Sequence, residues 1–152
     1  MPKMTGAQFL SDTLKGYGVT HIFFVPTILS HMLARIDKSG SNIARVLTHG
    51  EKAAAYMADG YARASGRPGL CMAQIVGGVN LAAGLRDAWL ACTPIIAFSG
   101  GTTPAERYRN SYQEVEDISA FDPVTKFNAH VDSVERFPDL LRQAFRAATS
   151  GT

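Results

Sequence analysis

The chain has 152 residues, 46% hydrophobic and 18% charged, with a formal net charge of +2. That length suits one domain around one core, and the composition excludes both the charge excess of a disordered chain and a membrane-spanning apolar run. Basic residues are scattered from Arg35 through Arg63 and Arg107 to Arg142, so no basic stripe tracks a phosphate backbone and nucleic acid is not an expected partner.

Met1 to Gly6 carries one lysine, and Thr5, Gln8, Ser11, Asp12 and Lys15 interrupt any apolar core of secretory type, which predicts a cytoplasmic chain. Thr5 to Tyr17 has helical spacing, with Thr5 and Gln8 placed as a capping box, Phe9, Leu10 and Leu14 on one face, and Gly16 and Gly18 at the end. His21 to Val25 is a short apolar run closed by Pro26 and predicts a strand; Leu29 to Lys38 returns to helical spacing. Ile43 to Leu47 is the next expected strand. Glu51 to Ala64 is alanine-rich, free of proline and ended by Ser65, Gly66, Arg67 and Pro68, hence a helix. Gly60 inside it costs about 1 kcal/mol relative to alanine, so close helix packing is its expected compensation.

Gly69 to Ile75 predicts a buried strand, Gly78 to Ala91 a helix, and Ile95 to Phe98 a strand before Ser99, Gly100 and Gly101. Near-continuous apolar strands alternating with helices imply a doubly wound α/β fold, a mostly parallel sheet with helices on both faces. Thr102 to Pro123 gathers Glu106, Arg107, Arg109, Glu114, Glu116 and Asp117 without a sustained period, which predicts a functional loop with room for one short helix. A short strand is expected near Thr125 to Asn128. A final helix follows, carrying Phe137, Leu140, Leu141, Ala144, Phe145 and Ala148, with Pro138 in its first turn. Stopping immediately after this helix leaves it without a following strand, an ending that looks like a cut. Cys71 and Cys92 lack CxxC spacing and are expected as buried free thiols.

Ligands of open α/β sheets collect at the carboxyl ends of the strands. The segments there are Val25-Pro26-Thr27, Thr48-His49-Gly50-Glu51, Val76-Gly77-Gly78-Val79-Asn80 and Ser99-Gly100-Gly101-Thr102. Gly77-Gly78 does not continue as a dinucleotide fingerprint, since Asn80 and Leu81 precede Gly84, and a nucleotide-binding Rossmann site is disfavoured. Taken alone, Glu51 reads as a first-turn acid stabilised by free backbone N–H groups. Pro26 would stop a strand, Asn80 form a turn, and Gln113 and Lys126 be solvated loop residues.

Glu51, Ala53-Ala54-Ala55, Ala58-Asp59-Gly60-Tyr61-Ala62-Arg63, Gly66-Arg67-Pro68-Gly69, Asn80-Leu81, Asp87-Ala88, Pro94-Ile95, Gln113-Glu114-Val115 and Pro123-Val124-Thr125-Lys126 form one ordered string over nearly the whole chain. This string resembles the N-terminal domain of the acetolactate synthase-like, thiamine-diphosphate-dependent enzymes. The resemblance implies the thiamine-diphosphate-binding fold, with residues 1–152 as the N-terminal pyrimidine-binding domain and the central and diphosphate-binding domains absent from this chain. It also implies that Glu51 hydrogen-bonds a pyrimidine nitrogen of thiamine diphosphate, which then acts as electron sink for decarboxylation or carboligation of a 2-oxo acid. Pro26, Gly77 and Asn80 would line the cofactor pocket, and Gln113 and Lys126 would reach toward substrate.

No metal site is expected here, because the Gly-Asp-Gly diphosphate signature is missing; magnesium would belong to the absent domain, and a flavin (FAD) could accompany the full enzyme. The implied partners are the diphosphate-binding domain of another subunit, further copies in a homo-oligomer, and a 2-oxo acid or acyl-CoA substrate, with no membrane. Ala53, Ala54, Met57 and Tyr61 are the candidate association face. An acyl-CoA decarboxylase or aldehyde lyase of the same family, or a non-catalytic assembly or regulatory domain, is the alternative. Phe24 and Thr27 replace usual glycines, Gly50 replaces a usual histidine, and Ile75-Val76-Gly77 replaces a Gly-Pro-Gly turn. These departures shape the pocket and therefore bear on substrate more than on fold.

Overall fold

The computed structural model describes residues 3–26, 28–115 and 118–151. Helix α1 (Gly6–Gly16) starts where Thr5, in extended backbone, accepts the Gln8 N–H through its hydroxyl at 3.2 Å, satisfying one free helical donor. Gln8 turns its side-chain oxygen to Arg35 at 3.4 Å, so the reciprocal half of the expected capping box is replaced by a contact to the next helix.

Among the described residues four strands form one parallel sheet: β1 (His21–Phe24), β2 (Ala44–Leu47), β3 (Gly69–Ala73) and β4 (Ile95–Ser99), in the order β2-β1-β3-β4. Helix α2 (Ser30–Lys38) links β1 to β2, and α3 (Glu51–Ser65) links β2 to β3. Helices α4 (Gly78–Gly84) and α5 (Arg86–Leu90) link β3 to β4, and α6 (Phe137–Thr149) closes the order. From β1 the chain first moves to one side, to β2, then crosses to β3 on the other. The strand order therefore reverses about β1, opening a crevice at the carboxyl ends of the strands.

Period-two alternation sorts the strand residues onto two faces. Ile22, Leu70, Met72 and Ile96 pack with Leu10, Leu14, Met32, Ile36, Leu141 and Phe145 of α1, α2 and α6. Phe23, Cys71 and Ala73 pack on the other face with Ala54, Ala55, Ala58, Leu81 and Ala82 of α3 and α4. The first core is built of large side chains and the second is rich in alanine on α3 and α4, which lets these helices lie close to the sheet and to each other. At Gly84 an added Cβ would stand 2.7 Å from the Ala55 Cβ. Among the described residues no helix is long and apolar enough to cross a membrane.

Five local expectations are corrected. Strand β3 stops at Ala73 rather than Ile75, because its pairing with β4 ends at Ser99 and Ile75–Gly77 coil into a 3₁₀ turn. The helix expected over Gly78 to Ala91 is two helices: the Leu85 N–H bonds back to Ala82, a tightened turn, just after the close α3 contact at Gly84. Residues 125–128 form no strand, since the Thr125 hydroxyl donates to the Phe121 carbonyl (2.7 Å) and the Asn128 amide to Asp122 (2.7 Å). These contacts tie the segment to the 3₁₀ helix Ile118–Val124 instead of to a strand. Cys71 is buried as expected, but Cys92 is exposed in a left-handed turn after α5, with φ 53°. A Cβ added at Gly60 would meet nothing within 4 Å, so close packing does not compensate this glycine within the chain.

Candidate functional site

Glu51 is the first residue of α3, directly behind β2, with Gly50 in extended backbone as its N-cap. The turn is held by Thr48, which is buried: its backbone N–H donates to the Phe24 carbonyl at 2.9 Å. Its hydroxyl lies 3.2 Å from that same carbonyl and 3.0 Å from the carbonyl of Gly50. One side chain thus ties the end of β1 to the start of α3 and fixes where Glu51 leaves the sheet. Sequence reasoning passed over Thr48; a small hydroxyl residue at the last step of a strand, just before a helix, is the signal that could have found it.

The Glu51 carboxyl lies in a notch made by the loop after β3. A Cβ on Gly77 would stand 2.5 Å from Glu51 Oε1 and 2.8 Å from its carboxyl carbon, closer than real side-chain contacts allow. The Asn80 amide donates to Glu51 Oε2 at 3.4 Å from the first turn of α4. Glu51, Gly77 and Asn80 are thereby brought together from two loops on either side of β1. Pro26 stands just past the end of β1 itself, exposed at the crevice. Around the notch Leu47, Val76 and Val79 are exposed apolar side chains, so a carboxylate and an amide sit inside an apolar rim. A carboxylate and an amide among apolar side chains are chemically suited to a flat ring with a hydrogen-bonding edge, and an added Cβ at Gly77 would displace that carboxyl.

Gln113 and Lys126 are placed elsewhere. Gln113 lies in the loop after β4 with φ 60°; its amide donates to the Tyr112 hydroxyl at 3.2 Å, and its side-chain oxygen is buried without a hydrogen-bond partner. Lys126 donates to the carbonyls of Ser150 (2.8 Å) and Gly151 (3.0 Å), past the end of α6. It also lines a cavity of about 690 Å³, which lies between β4, α6 and residues 124–132 and does not include Glu51. Thr27 of the first loop, and Glu116 and Asp117 of the charged group, lie outside the described residues. Among the described residues no group of three or more His, Cys, Asp or Glu side chains could hold a metal ion.

The ordered string that follows Glu51 has a structural role. Asp59 is buried and receives the Arg63 guanidinium at 2.9 Å, one turn along α3. Arg63 reaches the Asp87 carbonyl at 3.4 Å, and the Tyr61 hydroxyl shares a 2.5 Å hydrogen bond with Thr20 while its ring packs by His21 and Phe23. These contacts lock α3 to β1 and α5.

The family model of the thiamine pyrophosphate enzyme N-terminal TPP binding domain matches residues 4–121. The chain is 35% identical over 151 residues to a Methanocaldococcus jannaschii protein assigned as an acetolactate synthase large subunit, covering 97% of this chain and 25% of that protein. It is 31% identical over 151 residues to the acetolactate synthase of Bacillus subtilis (98% and 26%), and 35% identical over 147 residues to the chloroplastic acetolactate synthase of Arabidopsis thaliana (96% and 22%). The chain thus spans about a quarter of the length of these relatives. Its fold is similar to the X-ray structure of a Mycobacterium smegmatis protein assigned to the thiamin diphosphate-dependent enzymes. The TM-score is 0.79 at 24% identity, over 94% of this chain and 28% of that one.

Proposed function

Because the chain belongs to the thiamine pyrophosphate enzymes, through their N-terminal TPP binding domain, we propose that it supplies the pyrimidine-holding half of a 2-oxo acid decarboxylase or carboligase site of acetolactate synthase type. The observation that carries this reading is the Glu51 carboxyl seated against Gly77 with the Asn80 amide on its second oxygen. Glu51 holds and exchanges a proton at a ring nitrogen. Asn80 fixes the rotation of the carboxyl, so that one oxygen is kept for the amide and the other is free to meet the ring. Thr48 keeps the helix start in place, and Pro26, Val76 and Val79 form apolar walls that exclude water from the shared proton. Thiamine diphosphate, when bound, supplies the electron sink for the carbon chemistry.

The diphosphate and its magnesium would be held by a domain other than this one, from a second subunit or chain, as the family resemblance implies. The outer face of α3 supports assembly with a further copy: Tyr56 and Met57 are exposed beside Ala53 and Gly60. Ala54 does not belong to that face, being fully buried in the core, and Tyr61 is turned inward onto β1. In such an assembly Gln113 and Lys126 serve the substrate side, with Lys126 leaving its carbonyl contacts beyond α6 to do so. Val76, exposed at the departure from the Gly-Pro-Gly turn, reshapes the pocket beside Glu51.

The test is Glu51→Gln in the assembled enzyme with pyruvate as first substrate. The amide keeps the size and much of the hydrogen bonding but cannot exchange the proton. Turnover should fall at least about 100-fold while thiamine diphosphate affinity changes less than about tenfold. An unimpaired variant overturns the role of Glu51, and turnover by the isolated 152-residue chain overturns the shared site.

A further inference from the structure

The loop after β4 contains three non-glycine residues in left-handed backbone within six positions: Tyr108 (φ 65°), Asn110 (φ 52°) and Gln113 (φ 60°). Side chains other than glycine adopt that region at a cost, so clustering needs a local cause. The cause is Glu114. Its carboxylate accepts the backbone N–H of Tyr108 and Arg109 (3.2 Å) on one side of the turn and that of Ser111 (2.8 Å) on the other. Successive amides converging on one anion form a nest, here filled by a carboxylate from the same loop. The Ser111 N–H, and then those of Tyr108, Arg109 and Asn110, hold the Glu114 carboxyl below the usual carboxylate range against the opposing effect of burial. The Glu114 N–H donates back to the Ser111 carbonyl at 3.0 Å. Residue 113, wedged between the carboxylate and its donors, has its backbone direction set by that closure.

We propose that Glu114 is a positioning residue: its carboxylate buckles residues 108–114 into a preformed arm that presents Tyr112 outward and holds Gln113 beside it in one fixed orientation. The rest of the arm fits this role. Tyr112 is 90% exposed and its hydroxyl receives the Gln113 amide, so the two side chains are held together, with the Gln113 side-chain oxygen buried. The limb leading into the arm is turned by the Thr103 hydroxyl on Glu106 (2.8 Å) and the Glu106 N–H on the Thr103 carbonyl (2.9 Å), and the Ser111 hydroxyl donates to the Glu106 carbonyl at 3.4 Å. A preformed arm meets substrate or a neighbouring subunit without first being ordered, which preserves binding free energy. The proposal rests on the substrate-side reading of Gln113 only for what the arm meets, and not for the buckle itself.

The direct test is NMR on the 152-residue chain and its Glu114→Gln and Glu114→Ala variants. The amides of Tyr108, Arg109 and Ser111 should exchange at least about tenfold more slowly than that of Tyr112 in the parent chain, and lose that difference in Glu114→Ala. Glu114→Gln, which keeps one acceptor oxygen, should fall between them. The intraresidue HN–Hα NOE of Gln113, strong where φ is positive because the two protons lie close together, should weaken in Glu114→Ala. Equal exchange in all three chains, or an undiminished Gln113 NOE in Glu114→Ala, overturns the proposal.

In the assembled enzyme, with the 2-oxo acid it turns over, Glu114→Gln and Gln113→Ala should each raise KM at least about fivefold with kcat within about twofold, and their effects should not add. A loosened loop with Gln113→Ala still impaired but Glu114→Gln kinetically silent also overturns it. A loosened loop with Gln113→Ala itself silent overturns the substrate role of Gln113 and leaves the buckle supported.

Discussion

Gly77 has no side chain, and the Glu51 carboxyl occupies the space that one would need. Gly77→Ala brings a methyl to within 2.5 Å of Oε1, so the carboxyl must rotate away from the crevice and off the Asn80 amide. Turnover of the assembled enzyme should fall at least about tenfold, with circular dichroism unchanged, because the strain falls on one side chain at the rim and not on the core. The same scale separates the two thiols. Burial pushes the Cys71 thiol up to about 12, leaving almost no thiolate at neutral pH, whereas Cys92 is exposed. Iodoacetamide should modify Cys92 within minutes and Cys71 only on unfolding, a difference read by mass spectrometry. Glu51 was legible in the sequence because it follows a strand and a glycine and begins an alanine-rich run. The Glu114 buckle was not, since neither period nor propensity announces a carboxylate that collects amides from its own loop.

Helix α3 shows what periodicity can and cannot reveal at the scale of an element. Its limits, Glu51–Ser65, lie within a residue of those expected, because Gly50 and Gly66 punctuate it. The contacts of Asp59, Tyr61 and Arg63 depend on α5 and β1, which spacing along one helix does not report. Gly60 was expected to be compensated by close packing, but inside the chain a Cβ there meets open space. Gly60→Ala should therefore stabilise the isolated chain by about 0.5–1 kcal/mol through the unfolded state and helix propensity. If the outer face of α3 meets another copy, the added methyl should weaken that association, so thermal denaturation and sedimentation should move in opposite directions. The α4–α5 break at Leu85 and the missing strand at 125–128 escaped the sequence for a related reason. Both are decided by partners distant in the chain: Gly84 against Ala55 and Lys52 in one case, Asn128 on Asp122 in the other.

Across the whole molecule the sheet separates two cores of different grain. Leu14→Ala on the large-residue face should cost about 2–5 kcal/mol, since Leu14 is fully buried and its neighbours cannot collapse into the gap. Turnover per folded molecule should survive. Ala55→Val on the alanine face should cost about 1–3 kcal/mol by overpacking against Gly84. It should also lower turnover, because it pushes apart the two helices that bear Glu51 and Asn80. Chemical denaturation alongside activity per folded molecule distinguishes the two outcomes. The partition has an evolutionary consequence. Substitutions in α1, α2 and α6 can drift toward heat tolerance while the crevice stays unaltered, and loops at the crevice can explore new substrates on an unaltered foundation. A mutational library divided by sheet face, rather than by distance from Glu51, would then sort thermal adaptation from changes in specificity.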